Sequence, residues 1–212
     1  MLRLSDAIPR DAIRAKIGDF EEKVTANTAA EYIERDPTGM MTTGLYGWDY
    51  AVAQQLVDDD QEIGAVYPAR PDLFPGFLDK KWGRPFLQDA FATKLYSPIM
   101  PDYPFAVIEL CQCFPDDLHI ADVELSDIRR KLEQPQNGIG ARGYHGLGVF
   151  GDLLDGVKMV AKERGLSRIS LIAASPQAHA VFERHGFKVG DGALSALAYQ
   201  QLGYSHAMLL KL

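Results

Sequence analysis

Between residues 149 and 164 the apolar positions fall at Val149, Phe150, Leu153, Leu154, Val157, Val160 and Ala161, the spacing of one helical face. Asp152 and Asp155 occupy the opening turns and Lys162 and Arg164 the last, as the helix dipole favours, and Gly165 supplies the stop. A glycine-rich loop from Gly140 runs into this helix without a break. Upstream, residues 105–114 (FAVIELCQCF) and 118–125 (LHIADVEL) are β-rich and separated by Pro115-Asp116-Asp117, which predicts an antiparallel hairpin. Downstream, residues 168–174 (RISLIAA) form a nearly continuous apolar run, the pattern of a buried parallel strand. Ser175 then caps a helix with Pro176 in its first position, which runs to His185 and stops at Gly186. Residues 187–189 and 204–212 read as strands, the second closing the chain.

The first hundred residues are less regular. Residues 1–5 have an extended apolar pattern, and Pro9-Arg10-Asp11 opens a helix to about Gly18. Further helices are expected over residues 28–35 and 48–57, the second ending in the solvated run Asp58-Asp59-Asp60, with a short strand at 63–67. Prolines then break the pattern up to residue 75, and residues 86–95, opened by Pro85, read as another short helix. Pro98, Pro101 and Pro104 interrupt the chain before the hairpin, and residues 126–144 read as polar and irregular. The sum is a mixed α/β fold in which hairpin strands precede a crossover helix and a parallel strand, all in one domain of 212 residues.

Composition narrows the class. Apolar residues make up 47% of the chain and charged ones 24%, ordinary for a globular protein. No apolar run approaches the roughly 20 residues of a membrane span, and MLRLSDAIPR lacks the apolar core of a signal peptide, so a cytoplasmic protein without a membrane partner is expected. The net charge of −7 falls on residues 1–80, which hold 8 Lys+Arg against 15 Asp+Glu, whereas residues 81–212 hold 14 of each. That acidity argues against nucleic acid and mildly favours a cationic substrate, although a solvated acidic face explains it equally well. Cys111 and Cys113 exclude a disulfide framework and lack further ligands at metal-binding spacing, so two buried thiols and no metal are expected.

Gly146-Leu147-Gly148 lets the backbone turn so that N–H groups at the helix start can meet an anion, phosphate being the usual guest; the alternative is a plain turn. The same stretch contains Gly146-x-Gly148-x-x-Gly151, a dinucleotide fingerprint, but residues 137–145 are no strand and Ala174 leads into Ser175-Pro176 rather than an acidic residue. Context rejects that reading.

The hairpin, the glycine loop with its helix, RISLIAA, SPQAHAVFERHGF and a terminal strand ending AMLLKL together resemble the GNAT superfamily of N-acetyltransferases over residues 105–212. MLRLSDAIPRDAIRAKI resembles the family's opening strand and helix more weakly. The resemblance implies an acetyltransferase-like, largely antiparallel sheet flanked by helices. Residues 105–212 would be an acyl-CoA-binding core, and residues 1–104 a helix-rich elaboration shaping the acceptor side. It further implies acetyl-CoA, or another acyl-CoA, as co-substrate and a small-molecule or peptide amine as acceptor. On the family's loop pattern, His145, Gly146, Leu147, Gly148, Val149 and Phe150, with Gly151 following, hold the pyrophosphate, and Arg142 supplies a positive charge from nearby. His145 stands where Arg or Gln is usual and Phe150 where a small residue is. Phe182 takes the place of a tyrosine that protonates the leaving thiolate, Ser175 that of a frequent asparagine, and the link over residues 126–143 is longer than usual.

Acyl transfer needs a deprotonated amine, a polarised carbonyl and a proton for the departing sulfur. By resemblance, residues 118–125 form the splayed central strand whose backbone, around Val123 and Leu125, meets the thioester carbonyl. Glu124 is the first candidate base and Glu109 the second, Asp122 shares a face with Glu124, and the alternative is that these carboxylates face solvent or pair with arginines. Tyr204 is the remaining hydroxyl for an acid, and its alternative is a core or rim tyrosine. His119, His179, His185 and His206 form no triad spacing with a serine. A catalytically inactive binding or regulatory module on the same fold is the competing reading, favoured by Phe150 and Phe182.

Overall fold

The computed structural model describes residues 1–35, 83–98, 100–114, 116–125, 148–173, 175–190 and 206–212. A 3-10 turn at Leu4–Ala7 leads into α1 (Arg10–Ile17), β1 (Glu21–Ala26) and α2 (Ala29–Arg35); β2 (Leu87–Ser97), β3 (Met100–Cys113) and β4 (Asp117–Leu125) follow. The chain ends with α3 (Val149–Glu163), β5 (Arg168–Ala173), α4 (Pro176–Arg184), β6 (Lys188–Val189) and β7 (His206–Lys211). The expected helix at 48–57, the strand at 63–67 and the irregular segment at 126–144 lie outside the described residues.

The strands form one sheet in the order β1-β2-β3-β4-β5-β7-β6. Every neighbouring pair is antiparallel except β4 and β5, which run parallel and are joined through α3. This is the mixed, largely antiparallel acetyltransferase-like sheet that the resemblance implies. All seven apolar positions counted along α3 are buried, and they pack with Leu4, Ala7, Ile13, Ile108, Leu110, Leu118, Ile120 and Ile169 into one core. Each aliphatic side chain so buried contributes about 1.5–3 kcal/mol relative to exposure.

Three expectations are corrected. Residues 86–95 are not a helix but most of β2, paired with β1 on one side and β3 on the other. Ala90, Phe91, Ala92 and Thr93 are all buried, so neither face shows the alternation that marks a half-exposed strand, and the Ala- and Lys-containing run mimics a helix. Likewise residues 1–5 are not a strand. The backbone N–H of Arg3 donates to Asp6 Oδ2 at 2.7 Å, and Leu4 and Ala7, three apart, bury the same side of a 3-10 turn against α3. Pro101 and Pro104, expected to break the chain, lie inside β3, where its pairing with β2 shifts register around Leu95–Ser97. Prolines are tolerated at such irregular strand ends. β1 carries no apolar period because it is a largely exposed edge.

The position of α3 depends on one glycine. A Cβ on Gly156 would overlap the carbonyl oxygen of Ala7 and come within 3.0 Å of its carbonyl carbon, so the helix backbone lies directly on the 3-10 turn. Gly156→Ala is therefore expected to cost about 1–3 kcal/mol by forcing the two apart. A lowered urea midpoint would show it, and an unchanged midpoint would mean that the turn moves freely. At its other end α3 is anchored by Arg164, which donates to the Leu2 carbonyl, Asp89 and Gln112 at 2.6–2.9 Å.

On the face opposite α3, the parallel rungs of β4 and β5 carry buried polar groups. Ser170 Oγ donates to Asp117 Oδ2 at 2.7 Å and lies 2.8 Å from His119 Nδ1, so with its one hydrogen given to the carboxylate it accepts from the imidazole. Cys111 and Cys113 are buried on the neighbouring strand and form no disulfide, and burial pushes the Cys113 thiol up. Burial likewise raises the Asp117 carboxyl to about 7, against the opposing pull of Arg168 and Ser170, and lowers His119 to about 3.

The two shifts act on stability with opposite sign. Between about pH 4 and 7 folded Asp117 keeps a proton that the unfolded chain has released, so its contribution falls as pH rises. From about pH 3 to 6.5 the unfolded chain holds a proton on His119 that the fold refuses, so that contribution rises. Each slope is one proton, about 1.4 kcal/mol per pH unit, and the slopes cancel where the windows overlap. Asp117→Asn removes only the first. Its stability relative to the parent is expected to climb by up to about 1.4 kcal/mol per pH unit between pH 4 and 7 in urea melts. A pH-independent difference would show that Asp117 ionises normally in the fold.

Candidate functional site

The site is built from the point where β4 and β5 part and from the start of α3. Parallel pairing runs from Asp117↔Arg168 to Ile120↔Leu171 and, among the described residues, no rung follows, although β4 continues to Leu125. β5 meanwhile stays paired with β7 up to Ala173↔His206. On its other side β4 bulges, with Leu110↔Ile120 followed directly by Glu109↔Asp122, so Ala121 is the extra residue. Val123 and Leu125 thus lie on the part of β4 that has left β5. Because α3 returns the chain from the end of β4 to the start of β5, its N-terminus lies toward the end of the sheet where those strands part.

Gly148 is the N-cap of α3, in the left-handed region at φ 66°, with no side-chain cap. The first N–H groups of a helix have no intrahelical acceptor, and a glycine cap leaves that end to another partner. A Cβ here would come 3.3 Å from Lys16 Nζ, so the ammonium of α1's last turn stands at the mouth of α3. Lys16 also pairs with Asp152 in α3's first turn. Sequence reading missed Lys16, because nothing local in Arg14–Gly18 marks it for a helix that starts more than a hundred residues later. Arg142, expected to supply that charge, lies outside the described residues, as do His145, Gly146, Leu147 and Tyr204.

Val149 and Phe150 are buried and point into the core. The Phe150 ring meets Phe182 at 5.3 Å between centroids and the edge of His185 at 5.0 Å, and so fills the α3–α4 interface. Phe182 is 9% exposed and packs further on Phe187 at 6.0 Å. Gly151 faces His185, whose Cε1 lies 3.7 Å from the place of a Cβ. Ser175 caps α4, its Oγ accepting from the Ala178 N–H at 3.1 Å.

The three carboxylates separate. Glu109, Asp122 and Glu124 share the face of β3 and β4 that looks away from α3, with Asp122 directly across from Glu109 and Glu124 across from Val107. Glu109 is buried and held by Arg35 Nη2 at 2.8 Å, the arginine pairing weighed against a catalytic role. Arg35 in turn lies over the Tyr32 ring at 5.2 Å. Glu124 is half-buried. Two open grooves on the described surface lie elsewhere, one between Met1 and the outer side of α3, lined by Asp155, Lys158, Lys162 and Glu163, the other between α2 and Arg84.

No protein-family model matches the sequence, and comparison with curated proteins gives no match. Among solved structures the chain is similar to the PaiA N-acetyltransferase from Thermoplasma acidophilum in complex with coenzyme A, at 15% identity over 92% of this chain and 99% of that one, with a TM-score of 0.39. It is also similar to an acetyltransferase of the GNAT family from Staphylococcus aureus, at 14% identity over 91% of this chain and 99% of that one, with a TM-score of 0.40.

Proposed function

We propose that the protein is an acyl-CoA-dependent N-acyltransferase that moves an acetyl or related acyl group to an amine. The observation that carries the proposal is the parting of β4 from β5 after Ile120, at the end of the sheet where α3 begins on an uncapped glycine beside Lys16. A pyrophosphate fits that start: the helix dipole and the lysine are both positive there, and the glycine leaves the backbone bare. The pantetheine arm would then run between the parted strands, with the thioester carbonyl against the backbone of residues 121–125.

In the reaction Glu124, directly or through water, takes a proton from the acceptor ammonium. The amine lone pair attacks the thioester carbon, the C–S bond breaks, and coenzyme A leaves as a thiolate that takes up the second proton shed by the new amide nitrogen. Glu109 is the weaker choice because its carboxylate is committed to Arg35. Phe182 offers no hydroxyl, and a thiolate leaves tolerably near neutral pH given a free-thiol pKa of about 8.5. A cationic small molecule or peptide suits the carboxylate-bearing face, and neither nucleic acid nor membrane enters this reading. Among the described residues no helix is long and apolar enough to cross a membrane.

Titration calorimetry with acetyl-CoA, followed by a screen of amine acceptors with thiol-release detection, tests the proposal. Binding heat with turnover supports it, and no binding heat removes it. The lack of a hydroxyl at Phe182 favours one second reading, a coenzyme-binding module without turnover, and binding heat with no thiol release on any amine would establish that instead.

A further inference from the structure

The seam between β4 and β5 is the one parallel joint among the described strands, and it ends before either strand does. It has four rungs, whereas β5 pairs with β7 along its whole length and β4 pairs with β3 from Asp117 to Leu125. Each strand is thus held on its outer side and joined to the other only over Asp117–Ile120 and Arg168–Leu171. Nothing in the apolar face explains why the joint ends at Ile120. Leu118, Ile120, Ile169, Leu171 and Ala173 all belong to the same core.

The opposite face is different. Asp117, His119 and Ser170 are each 0% exposed, and the Ser170 hydroxyl bridges the two β4 side chains at 2.7 and 2.8 Å. His119 and Ser170 are direct register partners, and Asp117 lies opposite Arg168. Arg168 Nε in turn stands 3.9 Å from Asp117 Oδ1. The one hydroxyl therefore ties residues i and i+2 of β4 to β5 across the seam. At the next rung position on this side stand Ala121, the bulged residue, and Ile172, neither with a polar side chain, and past the bulge Asp122 is set across from Glu109 of β3 instead. Burying three polar groups is unfavourable unless their hydrogen bonds are made, and three apolar side chains would fill the space without that cost. What a buried, directional network adds is a preference for one register over its neighbours.

We infer that Ser170 is a positioning residue: its side-chain clasp on Asp117 and His119 sets where the β4–β5 seam stops, and so where the backbone of residues 121–123 stands against the acyl group. The functional half of this inference rests on the acyltransferase reading. The mechanical half does not, because a clasp that pins the seam must show itself in the unliganded protein.

Residue-resolved amide hydrogen exchange on the full chain, for the parent and Ser170→Ala, tests the mechanical half. Exchange at residues 118–120 and 169–171 is expected to quicken at least tenfold, while amides pairing β3 with β2 and the rest of β5 with β7 stay within about twofold. Gly156→Ala is the comparison, since it weakens packing on the other face and is expected to act on the amides without singling out the seam. If Ser170→Ala quickens exchange uniformly like Gly156→Ala, or not at all, the clasp is ordinary core and the inference falls. The second readout is turnover. Ser170→Ala should lower kcat about tenfold with acetyl-CoA affinity within about twofold, and Ser170→Thr, which keeps the hydroxyl, should recover most of it. A loosened seam with parental kcat overturns the positioning role. A parent that neither binds nor uses acetyl-CoA overturns the acyltransferase reading, and exchange alone then decides the clasp.

Discussion

Glu124→Gln is expected to lower turnover about 10²-fold or more at saturating acetyl-CoA, the usual scale for losing a general base, while leaving coenzyme affinity unchanged. The amide keeps the shape and the hydrogen-bonding capacity of the carboxylate but cannot take the ammonium proton. Glu109→Gln should behave differently. Arg35 stands 2.8 Å from Glu109, a carboxylate with 8% of its side chain exposed, so the variant strands a partly buried cation. A loss of about 2–3 kcal/mol of stability is expected, below the range for a fully buried pair because the Arg35 side chain keeps 26% of its surface. Turnover should fall only as far as folding does. Full activity of Glu124→Gln across the pH range would make Glu124 a structural carboxylate. Phe182→Tyr is expected to change little, because the ring is packed against Phe150 and Phe187 and thiolate departure needs less help than amine deprotonation.

Lys16→Met is expected to weaken acetyl-CoA binding about 30-fold, the loss of one charge-assisted hydrogen bond worth about 2 kcal/mol, and the loss should shrink in high salt. Methionine keeps the packing of the side chain's stem. The informative companion is Asp152→Asn. Asp152 occupies Lys16 and lies in the first turn of α3, where a phosphate would also be attracted, so it competes with the ligand for both. Its neutralisation is expected to strengthen binding several-fold. Both variants break the same ion pair, so a purely structural bridge would move coenzyme affinity in the same direction twice, or not at all. Opposite signs in calorimetry are the result that supports a phosphate site at α3.

What could be read along the chain was what repeats locally. The seven apolar positions of α3, the turn composition between β3 and β4, the apolar run of β5 and the Ser175-Pro176 opening of α4 each lie within one element, and each formed as its spacing required. The glycine before α3 was legible too, although its left-handed backbone was not needed to find it. The two misread strands share one cause. β2 reads as a helix because strands on both sides and packing on both faces remove the alternation that would have marked it, and β1 has no period because it is an exposed edge. In both, tertiary pairing overrides local preference.

The chemistry of the site was decided almost wholly at long range. Lys16 meets Asp152 across 136 residues, Arg35 meets Glu109 across 74, and Ser170 meets His119 and Asp117 across 51 and 53. No spacing rule reaches so far, because such pairs are set by sheet order and helix packing rather than by the turn of one element. The sequence by itself determined a hairpin, a crossover helix on a glycine start and a buried parallel strand, since a periodic apolar face forms wherever it can be buried. Only the tertiary structure decided which cation stands at the helix mouth, which carboxylate is already taken, and at which rung β4 leaves β5, because each depends on side chains that meet only once the sheet has closed around its core.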